Sequence, residues 1–298
     1  MDSFVHYTQC PACSSVSVQP ALNTKDFSVS GKPFSIWECS ACTLRFTQDI
    51  PNSKMIGEYY KSENYISHTN TSKGLINQLY QVVRKRTLKQ KRKLICKITN
   101  KSVGALLDTG SGTGAFVNEM QENGWQVTGL EPDSDARRVA KESFGIDLRT
   151  MNELFQLPEN SFDAITLWHV LEHVHDLHSY LQQFRNLLKH DGRLIIAVPN
   201  YTCFDSAVYK QHWAAYDVPR HLYHFSPQSM KRLIEKHRMK VSTLQPMWYD
   251  SFYVSFLSSK YKNGRTRWLR AAWIGLRSNL TTLFNKDRCS SLVYIVEK

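Results

Sequence analysis

The stretch LLDTGSGTG, residues 106–114, constrains the fold of this chain more than any other segment. An apolar run meets one acid and then three glycines spaced by small hydroxyl residues, and the segment AFVNEMQENG follows. This order reads as a buried strand turning sharply into a helix, with glycines where a side chain would forbid the backbone angles or a close approach. The pattern repeats downstream. WQVTGLEP reads as a strand and SDARRVAKESFG as a helix ending at Gly145; FDAITLWHV reads as a strand, DLHSYLQQFRNLLKHDG as a helix stopped at Gly192, and RLIIAVPN as a strand. SSLVYIVEK is a terminal strand suited to a sheet edge. Strands alternating with helices pair in parallel and carry helices on both faces, so a doubly wound α/β sheet is expected from about residue 100 to about 200.

In such sheets ligands bind beyond the carboxyl ends of the strands, where residues 106–114 lie. No GK[ST] follows, so the loop is not a triphosphate cradle. Its D-x-G-x-G-x-G spacing differs from the dinucleotide fingerprint G-x-G-x-x-G, and the Asp108 carboxylate would repel a pyrophosphate. A ligand carrying an ammonium and a sulfonium would be favoured beside that carboxylate, which describes S-adenosylmethionine. Glu131, seventeen residues after Gly114 at the end of VTGLE, is placed to accept both ribose hydroxyls.

The chain has seven cysteines, and four form two close pairs, Cys10 with Cys13 in CPAC and Cys39 with Cys42 in CSAC. Two such turns point four thiolates at one centre, the ligand set of a closed structural zinc site. The lobe around them is too small to bury a sufficient core, so the metal would supply its stability. A redox dithiol would need only one such pair, at a helix start.

The net charge of +12 suits a polyanion, an anionic membrane surface or an anionic substrate. It concentrates in two regions: Arg84 to Lys97, which has no acid, and a second holding Lys260, Lys262, Arg265, Arg267 and Arg270. The first lies on a segment whose Leu75, Leu79, Val82, Val83, Leu88, Ile95 and Ile98 recur at helical spacing, so it reads as the solvated face of a long amphipathic helix. Before it, Tyr59, Tyr60, Tyr65 and His68 suit either aromatic packing or a ligand lid. No apolar run approaches the roughly 20 residues needed to span a bilayer. The N-terminus lacks the basic start and apolar stretch of a secretory signal, and a cytoplasmic location is expected.

The segments LLDTGSGTGAF, VTGLEPD, LPENSFDAITLWHVLEHVHD and LLKHDGRLIIAVPN, in this order, resemble the class I S-adenosylmethionine-dependent methyltransferases. CPAC…CSAC, EYYKSENYISH and WAAYDVPRHLYHFSP resemble a subgroup with an N-terminal zinc ribbon, met among bacterial enzymes of cell-surface and sugar metabolism. The resemblance implies a Rossmann-like α/β transferase with a small N-terminal zinc-binding lobe. The implied organisation is a zinc-ribbon-like lobe over 1–50, an aromatic segment and basic helix over 51–100, and the methyltransferase domain over 101–298 with a His- and aromatic-rich insertion at about 201–240. Asp108, Gly110, Ser111, Gly112 and Gly114 would enclose the methionine part of the cofactor. Glu131 would hold the ribose, Pro132, Met151 and Asn152 would line the adenine side, and His169 would sit beneath the methyl group. Ser111 stands where the family usually has Cys, a harmless change in a loop that binds through its backbone.

His169, Glu172 and His173 also spell H-x-x-E-H, a zinc-hydrolase pattern; related quinone O-methyltransferases carry acids and a histidine here that can hold a divalent ion. Against these stand a structural role for Glu172 and His173, and His169 as a general base on an acceptor hydroxyl. His221 is the second candidate base, and Arg220 would clamp an anionic group or belong to a packed cover. The expected reaction is methyl transfer to a small or sugar-linked metabolite. An RNA methyltransferase and a non-enzymatic binding protein of the same fold are the alternatives; the first lacks an NPPY-like loop for a flipped base, and the intact glycine loop speaks against the second.

Overall fold

In chain order the described residues of this computed structural model, 4–60 and 75–298, form strands β1 (Val18–Lys25), β2 (Pro33–Cys39) and β3 (Arg45–Thr47), helix α1 (Leu75–Thr99), β4 (Ala105–Thr109), α2 (Ala115–Gln121), β5 (Gln126–Leu130), α3 (Ser134–Phe144), β6 (Phe162–Trp168), α4 (Leu177–Leu187), β7 (Leu188–Pro199), β8 (Tyr223–His224), α5 (Pro227–Lys236), β9 (Lys240–Pro246), α6 (Asp250–Asn263), α7 (Trp268–Phe284) and β10 (Ser291–Glu297), besides shorter elements. Tyr65 and His68 lie outside the described residues. Two compact units share the chain. One holds 75–168, Leu181–Ile196 and Val296–Lys298; the other holds 4–60, His169–Tyr180 and Ala197–Ile295.

The first unit is built on strands in the order β7, β6, β4, β5. β4 pairs in parallel with β5 on one side and β6 on the other, setting Asp108 opposite both Gly129 and Thr166. β6 is buried from Phe162 to Leu167, the pattern of a parallel strand covered on both faces. The chain leaves β4 towards β5 and later returns on the opposite side as β6, so the end of β4 is a topological switch point where a ligand crevice forms. α3 has the expected ends: Asp133 caps its start by accepting the Ala136 N–H at 2.7 Å, and Gly145 ends it in the left-handed conformation. On α1, Ile95 is fully buried while Lys85, Arg86, Lys89, Lys93 and Lys97 are exposed, so the basic run is a solvated face. The fourth helix departs from expectation. It ends at Leu187 and β7 begins at Leu188, so Gly192 lies within a strand. Gly192 is no helix stop; a Cβ there would sit 2.9 Å from the Phe162 carbonyl oxygen.

The second unit joins the cysteine lobe to the later part of the chain. Its four-stranded sheet runs β8, β3, β2, β1, with Tyr223 paired to Phe46 and His224 to Arg45 in antiparallel register. Aromatic residues of the 201–240 region are core: Trp213, Tyr216 and Tyr223 are almost fully buried, and Trp213 and Tyr216 pack with Phe34, Ile36 and Tyr59. β9 lies beside β10. α6 and α7 pack against each other, with Gly275 of α7 against Phe252 of α6. No helix among the described residues is long and apolar enough to cross a membrane.

Candidate functional site

The glycine loop does its work with backbone. Gly110 and Ser111 both donate N–H groups to the Leu130 carbonyl, at 2.8 and 2.9 Å, and the Ser111 hydroxyl donates to the Asp108 carbonyl at 2.9 Å. Two of its glycines have different tasks. At Gly112, with φ 53°, a Cβ would project into open space, the room a ligand would take. At Gly114, with φ 76°, a Cβ would lie 2.9 Å from Ala140 Cβ, so the residue lets α2 approach α3.

Two carboxylates flank the loop. Asp108 is buried, and its Oδ1 accepts the Thr166 hydroxyl at 2.6 Å, a pairing set by the register of β4 and β6. Burial pushes its pKa up, to about 6, against the pull of the Thr166 hydrogen bond and the Lys91 charge. Glu131 follows β5. Its Oε2 accepts the Gly112 N–H at 2.7 Å and its Oε1 the Asp133 N–H at 2.9 Å. Burial raises its pKa, and the two N–H donors only partly offset this. Each oxygen retains a lone pair for a hydroxyl donor. The Glu131 and Pro132 carbonyls accept from Arg137 Nη1, each at 2.7 Å. A parallel bridge between Leu130 and Arg149 brings Met151 and Asn152 to the same strand end, on a turn capped by Thr150 and Glu153. These observations fit an adenosyl ligand: an open cradle at Gly112, a buried acid with acceptor capacity, and a turn beside it.

At the end of β6, Trp168 packs edge-on to Phe116 at 5.8 Å, with Lys91 Nζ 4.1 Å from its ring centroid. No sequence pattern announces this group, because Lys91 lies 77 residues before Trp168.

The second unit holds the histidines. His169 takes a positive φ of 58°, a conformation costly for a residue with a Cβ and common at functional sites. Its Nε2 lies 3.2 Å from Asp250 Oδ2 and its Nδ1 3.4 Å from Glu172 Oε1. Burial would lower the His169 pKa, but these two carboxylates outweigh it and hold the pKa up, at about 10. Glu172 is fully buried, and neither oxygen has a hydrogen-bond partner of good geometry among the described residues. Burial alone would raise its pKa; the neighbouring His169, His221 and His173 reverse that and leave it lowered. His173 Nδ1 meets the Arg220 carbonyl at 3.0 Å and the Tyr60 hydroxyl at 2.9 Å, and burial with the nearby His221 draws its pKa down to about 4. His221 Nδ1 meets the Ala215 carbonyl at 2.8 Å, which fixes the tautomer and leaves Nε2 as the acceptor. Glu172, His173 and His221 bring one ligand atom each within 4.8 Å of one another, so this cluster could hold a cation.

Arg220 is no free clamp. Its guanidinium, 2% exposed, donates to Asp217 at 3.0 and 2.6 Å, to Asp26 at 3.1 Å and to the Tyr59 carbonyl at 2.7 Å. It braces three chain segments. Asp250 has no sequence signal, since it lies 81 residues from the histidine it pairs with.

Cys10, Cys13, Cys39 and Cys42 converge in the same unit, with all sulfurs within 4.8 Å of one another. The Cys10–Cys42 and Cys13–Cys39 sulfur separations are 3.5 and 3.6 Å. Four thiolates at a Zn–S distance of about 2.3 Å around a tetrahedral ion would be about 3.8 Å apart, so the cluster is compatible with zinc. The contact between Cys10 and Cys42 lowers the pKa of Cys10 and raises that of Cys42, so the pair favours one thiolate at Cys10.

A parallel sheet with a glycine cradle and a buried acid at its switch point has the Rossmann-like form that suits an adenosyl ligand. The family model described as "Methyltransferase domain" matches residues 80–241, more than half the chain, and the chain belongs to that family. The chain is 29% identical over 164 residues to the mitochondrial ubiquinone biosynthesis O-methyltransferase of Bos taurus, covering 49% of this chain and 44% of that protein. It is 26% identical over 189 residues to a demethylmenaquinone methyltransferase of Tropheryma whipplei, covering 61% and 76%. The chain spans about half the length of the first curated relatives it matches. In fold it is similar to the magnesium protoporphyrin IX methyltransferase of Synechocystis PCC 6803, solved with bound SAH, at a TM-score of 0.53 and 13% identity over 83% of this chain and 100% of that one. The expected class I Rossmann-like fold and the resemblance to the methyltransferase family therefore stand.

Proposed function

We propose that this methyltransferase acts on a hydroxyl of a small or sugar-linked acceptor. S-adenosylmethionine, when bound, supplies an electrophilic sulfonium methyl. The protein's part is then to hold two reactants in line, exclude water and remove the acceptor proton. The observation that carries the donor half is the open cradle at Gly112 beside Glu131. Asp108, Gly110, Ser111, Gly112 and Gly114 take the methionine part, Glu131 the ribose, and Pro132, Met151 and Asn152 the adenine side. The Thr166 hydroxyl holds Asp108 Oδ1 and so fixes the carboxylate beside the loop.

For the acceptor half, the two candidate bases divide by their neighbours. His169 is held as imidazolium by Asp250 and Glu172, so it orients and supplies positive charge. His221, with Nδ1 fixed on a carbonyl, presents Nε2 as the acceptor a base requires. Several of the matched relatives are named ubiquinone biosynthesis O-methyltransferases, which supports a hydroxyl on a small molecule, and others are demethylmenaquinone methyltransferases, which supports a small acceptor. The RNA reading rests on the exposed basic face of α1 and on the four-cysteine lobe. A structural zinc on the four cysteines completes the reading.

The test is transfer of labelled methyl from S-adenosylmethionine to a panel of phenolic and sugar hydroxyls. His221→Ala should keep donor binding and lose transfer by about 10²- to 10⁴-fold, the usual worth of a positioned base. Labelling of RNA with no small acceptor labelled would replace this reading.

A further inference from the structure

Helix α7 reverses the pattern of an ordinary surface helix. Its inward residues are mostly small: Ala271, Gly275, Ser278 and Thr282 are buried along with Ile274. A Cβ on Gly275 would lie 2.9 Å from Phe252 Cδ1 and 3.1 Å from the Phe252 backbone, so α7 lies too close to α6 for large side chains at that contact. The large apolar residues face outward instead. Leu269, Trp273, Leu276, Leu280 and Leu283 follow at steps of four, three, four and three, a single stripe along the helix. Leu269 is 91% exposed, Trp273 57% and Leu283 66%. Phe284, 91% exposed, ends the stripe. At seventeen residues the helix is about 25 Å long, and so long an apolar stripe left in water marks an interaction site.

The charge around the stripe has one sign. Between residues 260 and 288 the chain carries eight Lys and Arg and a single acid, Asp287. Arg265, Arg267 and Arg270, all exposed, cluster at the start of α7.

We propose that this face docks on an anionic lipid surface, with α7 lying in the plane of the interface. Leu and Trp on one face with flanking Arg is the chemistry of a helix that rests at the headgroup boundary. Trp268 and Trp273 suit the headgroup level, and the basic residues meet anionic headgroups. A second copy of this chain is the other occupant an apolar stripe admits. A parallel twofold contact would set Arg265, Arg267 and Arg270 against their own copies, and an antiparallel one would set them against Lys286 and Arg288 with Asp287 as the only acid in the segment, so charge complementarity selects the lipid. No described helix can cross a bilayer, so the contact is peripheral.

Sedimentation of the full chain with vesicles tests this. Vesicles of phosphatidylcholine alone are compared with a phosphatidylcholine–phosphatidylglycerol mixture, with light scattering on the free protein alongside. The wild type should partition at least about tenfold more strongly to the anionic vesicles. Leu276→Glu with Leu280→Glu, and separately Arg265→Glu with Arg267→Glu and Arg270→Glu, should each lower that partition by about tenfold or more, while melting temperature and S-adenosylhomocysteine binding stay unchanged. Should the leucine pair lower the melting temperature, the arginine variant carries the test. Wild-type protein that stays in solution with anionic vesicles overturns the proposal. So does binding that neither variant weakens, or a dimer that the leucine pair dissociates in protein showing no vesicle binding.

Discussion

The donor loop and the histidine cluster are built in opposite ways. The loop is local: β4, the glycines and Glu131 lie within 27 residues, and its hydrogen bonds are mostly made by backbone N–H and carbonyl groups. The histidine cluster draws on Tyr60, on 169–173, on 215–221 and on Asp250, and its character depends on which carboxylate meets which imidazole. A backbone site is specified by where a side chain must be absent, and glycine spacing records that directly. A side-chain site is specified by tertiary neighbours, whose effect on pKa can exceed that of residue type. His169 and His221 are the same residue with opposite proposed roles for this reason.

The comparison can be broken at several points. The largest effect should come from the cysteines, the third built element, in the unit that holds the histidines. Cys39→Ser should remove bound zinc and, with it, on the order of 10 kcal/mol of metal-coupled folding energy. Elemental analysis should read about one zinc in the wild type and none in the variant, and hydrogen exchange should show β1 to β3 unprotected. Zinc retained by the variant would remove the assignment.

Next, the loop's two glycines should separate stability from binding. Gly114→Ala meets Ala140 Cβ at 2.9 Å and keeps a positive φ, so it should cost about 3 kcal/mol in denaturant melts. Gly112→Ala meets nothing and should cost only about 1–2 kcal/mol, from its positive φ, while donor affinity falls more than in Gly114→Ala. Equal behaviour of the two variants would end the distinction between cradle and packing.

The smallest expected effect is on pH dependence. Asp250→Asn should drop the His169 pKa from about 10 towards the ordinary value near 6.5, read by NMR titration. A histidine pKa raised by folding stabilises fully below about 6.5, and that stability is lost as pH rises through 10. The wild type should therefore lose melting temperature across this window, and the variant less. A His169 pKa unchanged in the variant would show that Asp250 does not hold the charge.

How far the sequence reached follows the same division. The strand and helix series from 105 to 168 was legible, because a covered parallel strand and a helix closed by Gly145 leave unmistakable patterns. Gly192 misled: glycine after a helical run marks a helix end or a backbone collision alike, and here the Phe162 carbonyl requires it. The cysteine convergence was legible from spacing, yet nothing in CPAC or CSAC announces that Phe46 pairs with Tyr223. Arg220 looked available for an anion because Asp26, distant in sequence, takes part of its fork. The α7 stripe was present in the sequence as helical spacing, but spacing alone does not say which face is covered.

Calorimetry with S-adenosylhomocysteine and its 2′-deoxy analogue, on wild type and Glu131→Ala, tests the central claim most directly. The account predicts that the wild type prefers the ribose hydroxyl by at least about tenfold and that the variant shows no preference. Equal discrimination by both proteins would contradict it.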